Sequence, residues 1–285
     1  MSTTTTKSRS LLRRALETWR MRIGLVLSLA VALVAVLGPH FAPHDPQKFV
    51  GMAFAPRDLG YPFGTDYLGH DVLSQFLSGG WLLLTLALLG TVLGVGAGVV
   101  LGIWAGYARG RVDETIMRSG DVMLAFPQLV LALLFISITG PNLAVIVLLT
   151  ALGHAPRVAR VMRGAALSVA ERDFVSNASA MGMKTRTIIL REVLPNVTGP
   201  LAVEFGLRLT YSIGLIAGLS FLGLGVQEPQ PDWGVMLNDN RVAFTIQPWP
   251  VVLPVLAIAL ITIGMNLMTD ALARASAGID RQAQG

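Results

Sequence analysis

Six apolar runs decide what this chain can fold into: roughly Met21 to Leu37, Trp81 to Ala105, Met117 to Ile138, Leu143 to Val158, Leu201 to Leu222 and Val251 to Leu272. A helix crosses a hydrocarbon core with about 20 residues, and backbone in lipid must satisfy its own hydrogen bonds, so runs of this length are expected to be spanning helices. Composition agrees. Only 14% of the 285 residues are charged and mean hydropathy is +0.62, against about 25% charged in an ordinary soluble domain. The expected fold is an all-α polytopic membrane protein with six transmembrane helices. The first run carries the basic flank of a signal peptide, but "GPHFAPHDP" follows it instead of a small-residue cleavage pattern, so it is kept as a span. Gly153, His154 and Pro156 interrupt the end of the fourth run.

Orientation follows from the basic residues. With the N-terminus in the cytoplasm, only Lys48, Arg57 and Arg241 of the 22 lysines and arginines fall outside, and Arg208 lies within a span. The remainder, from Lys7 and Arg9 to Arg274 and Arg281, face the cytoplasm, as the excess of positive charge on cytoplasmic loops requires. The organisation is then a cytoplasmic tail (1–20), a first helix with an external segment (21–80), a transmembrane body (81–274) with a cytoplasmic loop at about 159–198, and a cytoplasmic tail (275–285). Both termini are cytoplasmic. The external segments, Gly38 to Gly80 and Gly225 to Gln247, are proline-rich and carry more acids than bases.

Several chemistries are closed to such a chain. With no cysteine there is no disulfide framework, thiolate metal site or cysteine nucleophile. The phosphate cradle G-x-x-x-x-G-K-[ST] is missing, so any ATP-driven work needs another polypeptide. H-E-x-x-H is missing too. Ser220 and His154 are the one pair that suggests an intramembrane protease, although nothing in the sequence joins them. His40, His44 and Asp45 offer metal-ligating atoms, but in a proline-rich external loop they read as solvated residues, and no metal site is expected.

Two local patterns stand out. Glycine recurs at Gly90, Gly94, Gly98, Gly102 and Gly106, with an extra Gly96. A period of four on a 3.6-residue helix gives a slanting stripe without side chains, which lets a neighbouring backbone approach closely in lipid. Close packing is the simpler use of that stripe; a seam along which helices slide is the other. The second pattern is the cytoplasmic stretch "ERDFVSNASAMGMKTRTIILREVLPNVTGP", Glu171 to Pro200. Ser168 or Asp173 can cap a short helix holding Ala178 and Ala180, and Gly182 can end it. A second short helix, about Lys184 to Val193, is expected to stop before Leu194-Pro195, where proline disfavours helix in the residue before it. Helix, turn and basic helix superficially suit DNA, but the stretch is tethered to a bilayer at both ends and has no scaffold, so no nucleic acid is expected. Met181, Met183 and Ile188 beside small and basic residues suggest a surface that docks into a partner's groove.

Here the chain resembles a known family. The stretch is similar to the "EAA" loop of permease subunits in ATP-binding-cassette importers: Ser176, Asn177 and Ala178 stand at the E-A-A positions, Gly182 at the glycine, and Leu194-Pro195-Asn196 at the close. Ser176 replaces the acidic residue, and Glu192 stands where relatives often have histidine. "YPFGTDYLGHDVLSQFLSGG", Tyr61 to Gly80, resembles a signature of the dipeptide, oligopeptide and nickel branch, with His70 and Gln75 replacing arginines. "LSFLGLGVQEPQPDWGVML", Leu219 to Leu237, and "FPQLVLAL" from Phe126 fit as well, and "NLMTDALARA" fits loosely. The resemblance implies the second permease subunit of a binding-protein-dependent importer in a prokaryotic cytoplasmic (inner) membrane. Its implied partners are a homologous permease, two cytoplasmic ATPases that bind the ATP and magnesium, and an external solute-binding protein. No cofactor is implied in this chain. Ser176, Asn177, Ala178, Gly182, Leu194 and Pro195 would couple to the ATPases, and Asp232 and Trp233 would touch the binding protein. The implied solute is a di- or oligopeptide first, nickel or a metal chelate second, and an oligosaccharide or other solute third; a channel without ATPases is the rival of a different class, and it would leave the hairpin without a purpose.

Glu204 and Arg208 lie one turn apart within the fifth span. Ionisable residues there either line the substrate path or neutralise each other, with Arg208 snorkelling to the interface.

Overall fold

The computed structural model describes residues 15–58 and 60–283, without the side chains of 278–283. Lys7, Arg9, Arg13, Arg14, the threonine run, the Arg281 side chain and the last two residues lie outside that description. The principal helices are α1 (Trp19–Leu37), α2 (Val72–Ala108), α3 (Gly110–Leu124), α4 (Gln128–Thr139) and α5 (Leu143–Ala170). They continue with α6 (Asp173–Ala180), α7 (Thr185–Ile188), α8 (Thr198–Phe221), α9 (Trp233–Asn240) and α10 (Trp249–Ala283). Five of them, α1, α2, α5, α8 and α10, are long and apolar enough to cross a membrane.

The expected third span is not one helix. α3 and α4 pass the same test only together and are bent by 77°. The break falls at Ala125-Phe126-Pro127, and Pro127 has extended backbone (ψ 124°) just before α4, because proline cannot continue a helix and pushes its predecessor out of one. The fourth span errs the other way. Pro156 lies inside α5, which runs unbroken to Ala170. Pro156 and its neighbours Ala155 and Val158 are buried, and tight packing by neighbouring helices is what allows proline inside a membrane helix.

α2 begins nine residues earlier than its apolar run. Asp71 caps it, its carboxylate accepting from the amides of Leu73 (3.3 Å) and Ser74 (3.2 Å) and from Ser74 Oγ (2.6 Å). Its 37 residues rise by about 1.5 Å each, so the helix outruns a core about 30 Å thick. The surplus turns stand in a cap formed with the segments 38–71 and 225–247, where Trp233 lies over them: its indole N–H donates to Phe76 O at 2.8 Å, and its ring stacks on Phe76 with centroids 5.6 Å apart.

The glycine stripe sets the central pair. A Cβ added at Gly90, Gly94, Gly98, Gly102 or Gly106 would lie 2.4–2.8 Å from an atom of α5, among them Ala151 O, Val158 Cβ, Ala159 O and Arg163 O. One added at Gly96, off the stripe, meets nothing within 4 Å. The stripe is a packing face, and α5 lies in it backbone to backbone. Two apolar clusters result. One joins Leu83, Ile136, Ile146, Ile213 and Trp233; the other joins Val95, Ile103, Val158 and Met162 to Ala178, Ile188 and Val193 of the hairpin at 171–197. The hairpin is therefore part of the folded body.

Candidate functional site

The hairpin at 171–197 is built by its ends. α6 closes in a Schellman motif: Gly182 N–H donates to Ser179 O (2.9 Å) and Met183 N–H to Ala178 O (3.2 Å), while Gly182 takes φ +77°, a value other residues rarely tolerate. Neither expected cap forms. Ser168 Oγ donates to Ala165 O within α5 (2.8 Å), and Asp173 sits in the first turn of α6 after Arg172, which caps nothing with its side chain. The second helix also differs from expectation. After α7 the chain widens into a π turn over Ile189–Val193 and goes on through Leu194–Asn196, with Leu194 helical (φ −57°, ψ −44°). A proline ring collides with the carbonyl four residues back, and the wider turn ahead of Pro195 makes room for it.

Burial sorts the hairpin into two faces. Ala178 (3% exposed) and Ile188 (1%) point into the apolar cluster beneath the hairpin, so both anchor the hairpin and neither belongs to its outer surface. Ser176, Asn177, Gly182 and Pro195 are exposed and Leu194 is half-buried. Met181 is 75% exposed, and Ser176, Ser179 and Ala180 border an open hollow with Tyr107 and Arg109. The outer face presents small hydroxyl and amide groups with one flexible thioether. Its exposed thioether is the kind of adaptable apolar group that protein-binding surfaces use.

Within the membrane the described residues form a polar cluster. Glu204 Oε2 and the Nε–H of Arg208 are 3.0 Å apart and both side chains are largely buried; the guanidinium also lies over the Tyr211 ring, 5.5 Å from its centroid. The pair neutralises itself inside the protein. His154 Nε2 is 2.8 Å from Ser212 Oγ, which is 2.8 Å from Thr91 Oγ1. That chain ties α5, α8 and α2 together at a point the sequence did not reveal, since the three residues lie far apart along it. Ser220 is elsewhere, accepting from Val226 N–H (3.1 Å), so the imagined Ser220–His154 pair does not form.

Asp232 and Trp233 are both 0% exposed. Asp232 caps α9, accepting from the amides of Gly234 (2.8 Å) and Val235 (3.2 Å), so within this chain both are packing residues. The substituted positions find partners: His70 Nδ1 is 3.0 Å from Asp66 Oδ2, and Gln75 donates to Pro46 O (2.5 Å). His44 Nδ1 meets Asp71 at 3.3 Å. Between the segments 38–80 and 225–247 lies a cleft of about 200 Å³, bordered by Tyr67, His70, Gln75, Glu228 and Asp239. There Tyr67 donates its hydroxyl to Glu228. Burial, then the burden of the Glu228 charge, pushes Asp239 up to about 6. From about pH 4, where an unfolded aspartate ionises, to about 6, the folded protein keeps a proton the unfolded chain has released. Stability therefore falls as pH rises through that window and stays lower above it. Asp239→Asn is expected to raise the thermal midpoint in detergent at pH 7.5 and to lose that advantage at pH 4; an equal midpoint at both pH values contradicts it.

The architecture matches known transporters. Residues 98–277 match the family described as the binding-protein-dependent transport system inner membrane component. The chain belongs to that family. The permease is 35% identical over 252 residues to the glutathione transport system permease protein GsiD of Pectobacterium atrosepticum, covering 87% of this chain and 83% of the relative. It is 36% identical over 256 residues to the di/tripeptide transport system permease protein DppC of Pseudomonas aeruginosa (87% and 84%). It is also 36% identical over 266 residues to a putative peptide transport system permease protein of Brucella suis (91% and 88%). Among solved structures, a chain of the inward-facing MetNI methionine ABC transporter superposes with a TM-score of 0.55 at 19% identity, covering 68% of the permease and 94% of that chain. That likeness concerns the fold.

Proposed function

We propose that the permease forms half of the translocation path of an ATP-driven importer for small peptides, working by alternating access with a homologous permease, two cytoplasmic ATPases and an external binding protein. ATP and magnesium belong to the ATPases. The observation that carries the proposal is the hairpin's division of faces: Ala178, Ile188 and Val193 lock it into the cytoplasmic core, while Ser176, Asn177 and Met181 remain exposed on the far side. A push on that outer face is transmitted as a rigid displacement to α5 and α8, the two spanning helices the hairpin connects. The distribution of basic residues supports cytoplasmic termini. Peptides are the preferred solutes because the relatives are named for glutathione and for di- and tripeptides.

The chain has no cysteine, so a single one reports cleanly. Ser176→Cys is the position of choice, because Ala178 is buried. Co-expressed with the cognate ATPases, the variant is expected to form a specific cross-link to an ATPase in membrane vesicles, with a yield that changes when ATP is added. Modification of the introduced thiol only by reagents on the external side, or no cross-link in a folded complex, refutes both topology and coupling.

A further inference from the structure

Three arginines climb one side of α5, and the structure answers only two of them with an acid. Arg163 binds Asp113 of α3 through two nitrogens, and Arg160 Nη2 lies 2.5 Å from Asp121 of the same helix. Arg157, one step further into the membrane, meets the start of α4 instead, where the residue is a neutral amide. Its Nη1 donates to Gln128 Oε1 (2.8 Å) and to Gly153 O (2.6 Å). Among the described residues its Nε and Nη2 have no partner and no carboxylate pairs with it. Arg208, a second cation that acts on it, is already answered by Glu204.

The place is built for this arrangement. A Cβ on Gly153 would lie 2.1–2.7 Å from side-chain atoms of Gln128, so the glycine lets the amide lie directly against α5. Arg157 and Gln128 stand at one end of a groove of about 290 Å³ between α3, α4 and α5, whose walls include Leu131, Phe135, Leu149 and Leu152. This is the size and composition of a small-molecule pocket: apolar walls with a few convergent polar groups. An unanswered guanidinium within a membrane-spanning segment is costly, and glutamate, nearly the same shape as Gln128, would answer it permanently.

We infer that Arg157 and Gln128 form a transient carboxylate station on the import path, where the free guanidinium nitrogens of Arg157 receive the carboxylate of the transported solute while its apolar side chains lie along the groove. The guanidinium fork suits a carboxylate in two-point contact, and a neutral amide at 128 keeps the fork available between passages. The inference rests on the importer reading and adds a recognition residue to it.

The test uses the complete importer, with both permeases, ATPases and binding protein, in proteoliposomes. The probes are radiolabelled dialanine and a diazirine-bearing dipeptide with a free carboxylate. Gln128→Glu installs the permanent anion. It is expected to keep the importer assembled, to leave the thermal midpoint equal or higher, and to reduce both dialanine uptake and ATP-dependent photolabelling of α4 and α5 by about tenfold or more, the scale of one charge-assisted hydrogen bond. Arg157→Gln should lose the same labelling and Arg157→Lys should restore part of it. Unchanged uptake and labelling in Gln128→Glu overturn the inference. Loss of the partner permease from the variant complex overturns it as well, by showing that Arg157 serves a protein contact. An effect present with phosphatidylglycerol in the vesicles and absent in pure phosphatidylcholine overturns it in favour of an anionic lipid headgroup. If the unaltered importer neither takes up dialanine nor is labelled, the small-peptide reading itself fails, and the inference with it.

Discussion

Gly102→Leu is expected to leave the permease without a stable fold, whereas Gly96→Leu, six residues away on the same helix, folds as the parent does. At Gly102 a Cβ would stand 2.4 Å from Ala159 O and 2.9 Å from its Cα, both backbone atoms of α5 that cannot rotate aside. Relief requires α2 and α5 to separate, which opens the seam on both sides of the insertion and forfeits contacts along several turns. Overpacking of a close-packed interior costs about 1–3 kcal/mol where side chains can yield, and more where they cannot. A domain is stable by only about 5–15 kcal/mol. At Gly96 nothing lies within 4 Å. Monodisperse yield and thermal midpoint in detergent read the difference directly. Equal behaviour of the two variants would mean that the stripe does not hold the pair together.

The second large effect is expected at Glu204. Removing its carboxylate by Glu204→Ala leaves Arg208 charged, 11% exposed and without an anion, a loss worth about 3–5 kcal/mol where a buried pair is broken from one side. Replacing both partners by methionine is expected to recover most of that stability, because the cost arises from the stranded charge and not from a missing attraction. The thermal midpoints of the parent, Glu204→Ala and the doubly substituted chain decide the matter. A doubly substituted chain as unstable as the single variant would show that the pair contributes a specific strong bond. Normal stability of that chain with lost uptake would assign Glu204 and Arg208 to the path.

Much of the permease was legible along the chain because lipid imposes local rules. A span must be apolar over its length, so five of the six crossings could be read from hydropathy alone, and glycine at every fourth position had to be a close-approach face. Gly182 predicted the turn after α6 because only a residue without Cβ sits easily at φ +77°. Proline was read less well. Pro127 breaks the third crossing, Pro156 passes through a helix, and Pro195 follows a helical residue behind a π turn. Each proline removes the same donor and adds the same ring, and the outcome depends on what neighbouring helices offer in return.

The all-helical class and the glycine turn that closes α6 are written in short stretches of the chain, since they follow from apolar length and backbone permissiveness. Which side chains face inward is a property of the assembled helices. Ala178, Asp232 and Trp233 read as surface residues from their motifs and prove buried, because the hairpin and the external cap pack onto helices distant in sequence. His154, Ser212 and Thr91 come together from three helices for the same reason. Arg157 differs from Arg160 and Arg163 through what stands opposite on α3 and α4, and the 77° bend between those helices places a neutral glutamine there.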